Sequence, residues 1–576
     1  MREVWEKIRE FFFRLRRSSL FLLFQWFLIF VWLNAAVERI SCKKDFSSSG
    51  RFEISANTER VFESVPGNLR IDAYYSSKVP GEYRVRLDLV KETLRSLASA
   101  GGQKIVLRFY DPDVSEADRK RAIDAGIEPQ ILEKSERGSA QIKQVFMGIT
   151  ISSGTKRETL PVAFYAEQIE LQVLKAVKKI LRKPGETGIA IVKSRGSLST
   201  APPGPESGKD TIGILFHRVF PEEFGTLTEI DLETGPVSDS IRTLLWIGTP
   251  SFTERSGYFL DRFLMRGGNL ILLAKSMDFR LEPPAREHGT GADFDELKAG
   301  IARPVSEIEE TNRILEQYGF RINTDLVFDL HHSLPMGPLL ELEPGVIGRF
   351  PYPPWIVANS GENMLNEQSP YTGPLKSLLL PWVSSLTLFP EKQPKVRTEI
   401  LIVSSEEAEA RTDFVALGEK QIYATPSKPN GGKKILGVLL EGNFRSPYSK
   451  PPNENRGEIT APFLFETPED RTSRILAVGT PYLVSDLLVL PEFRDIFQES
   501  NIPFLLNVLD ITAGNRDLIE VRAKKSSIET LRPFTDAERI FIGYFHLLAV
   551  PLLLGLAAFY RIRKRNSPAI RREPKP

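Results

Sequence analysis

An apolar run at each end of the chain, with basic residues on its outer side, constrains the fold more than anything else in the sequence. The first, Ser19 to Val37 (SLFLLFQWFLIFVWLNAAV), carries no formal charge and follows Arg9, Arg14, Arg16 and Arg17. The second, Ile540 to Tyr560 (IFIGYFHLLAVPLLLGLAAFY), leads into Arg561, Arg563, Lys564 and Arg565. A helix of about 20 apolar residues spans the roughly 30 Å hydrocarbon layer, and flanking Lys and Arg stay cytoplasmic. The pattern predicts a two-pass protein of the inner (cytoplasmic) membrane, with both termini cytoplasmic and residues 38–539 extracytoplasmic. A cleaved signal peptide fits the first run poorly, because the run exceeds the usual ~7–15 residues and Asn34-Ala35-Ala36 is a weak cleavage site. Cys42 makes no lipoprotein box, since Glu38-Arg39-Ile40-Ser41 is charged where a box is apolar.

The 76 Lys and Arg nearly balance the 74 Asp and Glu, and no clustered basic face marks a nucleic-acid partner. The basic tails, residues 1–18 and 561–576, serve topology and attraction to the lipid bilayer. One cysteine excludes an intrachain disulfide framework and a cysteine-based zinc site. A chain of this size and ordinary apolar content, 41%, must be held by packing.

Leu69 to Tyr75 alternates as a strand does, and Tyr83, Leu87, Val90, Leu94 and Leu97 then fall on one helical face. Gly101-Gly102 ends that helix and Lys104 to Tyr110 is the next strand. Strand, helix, strand with short joints predicts a parallel βαβ unit. A short helix over Ser115–Ala125 follows, then a hairpin of Gln141–Ser152 with Lys156–Ala163 over Ser153-Gly154, then an amphipathic helix burying Ile169, Val173, Val177 and Ile180. These elements make an N-terminal α/β domain over 60–183.

Residues 184–211 read as a linker or loop, since Ser194 to Asp210 is rich in Ser, Pro and Gly without periodicity. A larger α/β domain is expected over 212–525. Thr243–Ile247, Asn269–Ala274 and Arg474–Val478 are continuous apolar strands, the mark of a parallel sheet covered on both faces. Thr253–Arg266 is the helix between the first two, capped by Gly267-Gly268. Residues 283–472 are expected to be β-rich insertions, and Leu375–Leu388, interrupted by Lys376 and Pro381, is not a third span.

Two strands end alike: LLWI runs into Gly248-Thr249-Pro250, and ILAV into Gly479-Thr480-Pro481. Strand C-terminal ends are where open α/β sheets bind ligands, so these six residues and Asp486 form the candidate ligand or partner site. The plainer reading, which we favour, is that Gly and Pro turn the chain out of the strand.

Catalytic signatures are missing. The chain has no P-loop, no G-x-G-x-x-G after a strand, no G-x-S-x-G elbow and no HExxH, so no direct nucleotide binding, cofactor or catalytic residue is assigned. His331-His332 with Asp329 suits a solvated loop better than a metal site, which needs three or four converging ligands. Asp111-Pro112-Asp113 reads as a turn into a helix. His546, near one end of its run beside Tyr544, reads first as a packing group, able either to hydrogen-bond at the membrane interface or to contact Gln25 or Asn34 of the other run.

Ordered blocks along the chain resemble the GldG-like family of ABC-transporter auxiliary proteins, named for a gliding-motility component. They are LRIDAYYSSKVP (69–80), FYDPD (109–113) and AGIEPQIL (125–132) in the first domain. In the second they are LLWIGTPSFTERSGYFLDRFLMRGGNLILL (244–273), ILEQYGFRINTDLVFD (314–329), YPPW (352–355) and IPFLLNVLDITAGNRDLIEVRAK (502–524). The resemblance implies a non-catalytic extracytoplasmic subunit working with an ABC permease and an ATPase. Only residues 1–18 precede the first apolar run, so the permease is expected to be a separate chain. The larger domain also resembles flavodoxin-like and amidotransferase-like sheets, without the nucleophilic cysteine of the latter. Two other readings are an extracytoplasmic envelope scaffold and a carbohydrate- or peptidoglycan-processing enzyme. The enzyme would need paired carboxylates about 5–10 Å apart, for which Asp486, Asp239 and Asp278 are candidates.

Overall fold

The computed structural model describes residues 54–79, 81–136, 139–181, 188–204, 208–281, 300–343, 346–417, 432–450, 463–491 and 493–514, with Trp32, Ile422, Leu518, Val521, Tyr544, Phe545 and Phe559 besides. Among the described residues no helix is long and apolar enough to cross a membrane. The runs 19–37 and 540–560, and Cys42, lie outside them, apart from Trp32, Tyr544, Phe545 and Phe559, which are helical and exposed.

The first domain opens on α1 (Ala56–Ser64), whose N-cap Ser55 accepts from the Thr58 amide. Then come β1 (Leu69–Tyr75), α2 (Gly81–Ala100), β2 (Ile105–Tyr110), α3 (Glu116–Asp124), β3 (Gln130–Glu136), β4 (Ser139–Val145), β5 (Met147–Ser153), β6 (Lys156–Leu160) and α4 (Ala166–Leu181). The sheet order is β2-β1-β5-β6. β1 and β2 are parallel, in register Leu69↔Ile105, as a βαβ unit requires. β5 and β6 form the expected hairpin. The run expected as one strand from Gln141 is two, because Ser76 captures both backbone groups of Phe146: the Ser76 amide donates to the Phe146 carbonyl at 3.0 Å and the Phe146 amide to Ser76 Oγ at 3.0 Å. The earlier part pairs with β3 in a hairpin of its own.

Leu87, Val90, Leu94 and Leu97 from α2 meet Ile169, Val173 and Val177 from α4 in one buried core. Each such side chain contributes roughly 1.5–3 kcal/mol by leaving water. Glu170, itself buried, accepts from the Ser55 amide and from Thr58 Oγ1, both at 2.7 Å, and so ties α1 to α4. Leu518 and Val521, helical and three residues apart, belong to the same core, so chain beyond the second domain returns to the first.

The second domain is built on β7 (Ile189–Val192), β8 (Thr228–Ile230), β9 (Thr243–Ile247), β10 (Asn269–Leu273), β11 (Phe320–Ile322), β12 (Leu386–Leu388), β13 (Val396–Val403), β14 (Ile435–Gly442) and β15 (Ser473–Val478). Their order is β11-β12-β14-β15-β10-β9-β7-β8, with β13 on β14. β8, β7, β9, β10 and β15 are mutually parallel, in chain order 2-1-3-4-5, the flavodoxin-like arrangement. The remaining strands extend the sheet antiparallel.

Alternate residues face opposite cores. Ile189, Leu245, Ile271 and Leu476 join Leu215, Phe220, Phe504 and Leu505 on one side. Ala190, Trp246, Leu272 and Ala477 join Phe259 and Phe263 of α5 (Glu254–Met265) and Leu315 of α6 (Ile308–Gln317) on the other. This double burial explains the unbroken apolar runs. α7 (Ile502–Thr512) lies on the first of these faces. The described residues between 300 and 442 are β-rich and, together with Tyr482, add a third core around Trp355 and Trp382.

Candidate functional site

Strand order reverses between β7 and β9: the next strand after β7 lies on one side of the pair, and the next after β9 on the other. Loops leaving two such strands diverge and open a crevice at their C-terminal ends. Here it is a cleft of about 950 Å³ lined by Arg195, Asp210, Lys275, Asp278, Arg303 and Glu307, with Thr249 and Pro250. Ser194 to Asp210 supplies one wall: it is the connection that follows β7, inside the sheet's own topology.

The two loops are stitched at their base. Ser197 and Gly248 form an antiparallel bridge, and the Leu198 amide donates to the Ile247 carbonyl at 2.9 Å. Deeper in, Lys275 Nζ donates to Asp278 Oδ1 at 2.8 Å and to the Tyr482 hydroxyl at 2.9 Å, and stands 3.8 Å from Asp210 Oδ1. The Tyr482 hydroxyl donates to Asp210 Oδ1 at 3.3 Å. Burial, and then the Asp210 and Asp278 charges, push the Tyr482 phenol well above its ordinary range, so it stays a donor. Lys209 and Lys275 both lie over its ring, 5.8 and 5.4 Å from the centroid. At the mouth Arg195 faces Glu307 at 3.7 Å. A hydrogen bond from Ser306 holds the Glu307 carboxyl below its usual range.

In doubly wound folds the first helix after the first strand presents its N-terminal amides to a ligand's phosphate. Here that end is filled from within. Asp486 accepts from Thr211 Oγ1 at 2.8 Å, from the Gly213 amide at 2.8 Å and from the Ile214 amide at 3.0 Å, at the start of helical residues 213–223. Asp486 is 7% exposed and is an anchor for the loop and helix rather than a cleft group.

The two Gly-Thr-Pro turns share a construction. A Cβ on Gly479 would lie 1.9 Å from the Ser384 carbonyl oxygen, and one on Gly248 would lie 2.2 Å from that of Gly196. Thr480 Oγ1 donates to the Pro381 carbonyl and Thr249 Oγ1 to that of Lys275. Both are close-approach devices at strand ends. Thr249 and Pro250 also line the cleft, whereas Gly479, Thr480 and Pro481 are not among its walls. Arg195, Asp210, Arg303 and Glu307 went unread in the sequence. Lys275 had a signal, because it directly follows an apolar strand whose C-terminal end faces the crevice.

The other candidates fall apart in space. Asp239 is fully exposed and pairs with Arg266 at 2.6 Å, ahead of β9 and so at the other end of the sheet from Asp278. His332 bonds Asp329 and Glu362, and His331 bonds Glu407 at 2.7 Å. Among the described residues no group of His, Cys, Asp and Glu could hold a metal ion. Asp111 and Asp113 accept from the Ser77 and Lys78 amides, at 3.2 and 3.0 Å, and so fasten the turn after β2 to the end of β1.

The second domain is thus a flavodoxin-like sheet with an internally capped helix end and a polar cleft at its switch point. Comparison with known proteins places it. A family model described as an ABC-type uncharacterized transport system matches residues 187–508, more than half of the chain and nearly all of this domain. The chain belongs to that family of transport-system auxiliary components, consistent with the GldG-like resemblance. A domain of unknown function matches residues 48–152. An uncharacterized protein of Borreliella burgdorferi is 23% identical over 555 residues, covering 94% of this chain and 96% of its own. Among solved structures, the mmIFT52 N-terminal domain aligns at 11% identity and TM-score 0.27, over 55% of this chain and 97% of that one, which is too low a score to argue from.

Proposed function

We propose that this chain is a non-catalytic, membrane-anchored, extracytoplasmic accessory subunit of an ABC-type transport system, acting with a permease and an ATPase carried on separate chains. The observation that carries the proposal is the coincidence of the family match with the domain that holds the cleft. The capped helix end supports the division of labour: Asp486 occupies the place where a nucleotide phosphate would sit, so ATP is engaged by a partner. Two features support the anchoring. The terminal apolar runs are of membrane-spanning length with basic outer flanks. The described aromatics within them, Trp32, Tyr544, Phe545 and Phe559, are helical with largely exposed side chains, as lipid-facing residues are. The cleft is the domain's binding element, for cargo or for an envelope partner.

Purification from native membranes in mild detergent tests the assembly. The expected result is recovery of a permease and an ATPase in fixed ratio with this chain, and purification of this chain alone would defeat it. Topology has its own test: a reporter fused near residue 430 is expected to be active outside the cytoplasm and silent within it.

A further inference from the structure

The sheet of the first domain has two edges, and they are built differently. β6, at one edge, begins Lys156-Arg157-Glu158, three successive charges of the kind that keep a further strand away. β2, at the other, reads Ile105-Val106-Leu107-Arg108-Phe109-Tyr110. It has no proline, and its register against β1 is unbroken from Leu69↔Ile105 to Tyr74↔Tyr110, so neither a missing donor nor a bulge blunts it. Among the described residues β1 is its one strand partner, and no backbone hydrogen bond ties its other side to a further strand. Val106 and Phe109 are each 38% exposed. A row of unpaired amides and carbonyls beside exposed apolar side chains is a template for another strand.

The two faces that flank this edge differ in chemistry. Ile105, Leu107 and Phe109 share the inner face, since side chains alternate along a strand. Ile105 and Leu107 belong to the core beneath α2, and Arg95 of α2 lies over the Phe109 ring, 5.3 Å from its centroid. Val106, Arg108 and Tyr110 share the outer face, where Tyr110 stacks on Tyr74 at 5.1 Å. Arg108 is exposed, and among the described residues it makes neither an ion pair nor a side-chain hydrogen bond. The acids nearest to it are engaged elsewhere. Asp72, its neighbour on β1, pairs with Arg70 at 2.8 Å. Asp111 accepts from the Ser77 and Asp113 amides, and Asp113 from the Lys78 amide. The free edge therefore offers an unmatched positive charge on one face and apolar surface on the other.

We propose that β2 receives an extended segment of a partner protein as a further strand of this sheet, with acidic side chains on the outer face beside Arg108 and apolar ones on the inner face beside Leu107 and Phe109. Main-chain bonds to the free side of β2 supply the affinity, and the alternation of acidic and apolar side chains supplies the choice of partner. Directly opposed side chains on neighbouring strands stand about 5 Å apart, within reach of a carboxylate for the Arg108 guanidinium. This surface lies in the first domain and does not rest on the cleft or on the transport role.

Two short end-blocked peptides, one alternating valine with glutamate and one alternating valine with lysine, test it on the full chain in detergent micelles. Anisotropy of a label on the peptide reads binding, and amide hydrogen exchange reads where it occurs. The glutamate peptide is expected to bind at least about tenfold more tightly than the lysine peptide, because like charges opposed across two strands repel. It is expected to slow exchange in Ile105–Tyr110 and to leave β6 unchanged. Arg108→Gln is expected to narrow the preference to about threefold or less, and Arg108→Glu to reverse it. The peptide comparison uses the parent chain alone, so it stands whatever a variant does to folding. The inference is overturned if the lysine peptide binds as well as the glutamate peptide, or if binding leaves exchange in β2 unchanged. It is also overturned if the chain without peptide is a dimer that already protects β2, which would assign the edge to a second copy. Recovery or loss of a permease and an ATPase bears on the accessory role alone.

Discussion

Gly248 and Gly196 meet backbone to backbone at the base of the cleft, so closely that a Cβ on Gly248 would lie 2.2 Å from the Gly196 carbonyl oxygen. Both adopt positive φ, +120° and +88°. Gly248→Ala therefore combines backbone strain of roughly 1–3 kcal/mol with a clash against main chain that cannot rotate away. The expected loss is about 3 kcal/mol in a urea titration, with the switch-point loops the first to lose amide protection. An alanine variant with an unchanged midpoint would show that the two loops are free to separate.

Asp486 holds three donors at once, and its replacement tests the internal cap. Asp486→Ala leaves the Gly213 and Ile214 amides without their acceptor, while the Thr211 hydroxyl keeps the Gly208 carbonyl at 3.0 Å. Unmade bonds of this kind cost about 1–3 kcal/mol each, partly recovered where water enters, so a total near 3 kcal/mol is expected. Asp486→Asn keeps acceptor oxygen for some of them and is expected to lose less. A larger loss for asparagine than for alanine would mean that the carboxylate is not an acceptor here.

How much of this was legible beforehand follows from what each residue must satisfy locally. Thr243–Ile247, Asn269–Leu273 and Ser473–Val478 announced themselves because a strand buried on both faces is apolar at successive positions once past its first residue or two. The β1-α2-β2 unit was equally plain, since its joints are short and α2 keeps a single apolar face. β7 was hidden: Ile189-Ala190-Ile191-Val192 is four residues long, too short to separate from a helix fragment by periodicity. With β7 unseen, Ser194–Asp210 looked as much like a linker as a loop, and the reversal point that places the cleft went unread. The charged lining illustrates a different limit. Lys275 and Asp278 are only three residues apart, but Asp210 is brought to them by the fold, and Tyr482, which binds Asp210 and Lys275, lies 272 positions from Asp210. No local pattern encodes such a contact.

Leu518 and Val521 carry the chain back into the first domain's core, where they are 5% and 3% exposed. Their spacing of three puts both on one helical face. Leu518→Ala is expected to destabilise that core by about 2–5 kcal/mol, the range for a buried leucine truncation. Hydrogen exchange on the full chain locates the effect: protection should fall in α1, α2 and α4, while β9 and β10 keep theirs. Equal loss in both domains would argue that the contact holds the molecule as a whole rather than the first domain.

Asp325 gives a pH dependence whose sign can be worked out. Its carboxylate accepts from the Ser385 amide at 2.8 Å and from Ser385 Oγ at 2.6 Å, yet burial outweighs these bonds and raises its pKa above the ordinary value. Below about pH 4 the group is protonated in both the folded and unfolded chain and contributes no pH dependence. As pH rises past that value the unfolded chain ionises first and binds fewer protons, so stability falls until the folded group ionises in turn. Asp325→Asn has no such penalty and can still accept from the Ser385 amide. Melting temperatures of the two proteins, measured from about pH 4 to pH 7, are therefore expected to shift in favour of asparagine as pH rises and then run parallel. A gap that moves the other way would mean that the Ser385 bonds dominate and that the folded carboxyl titrates below its usual range.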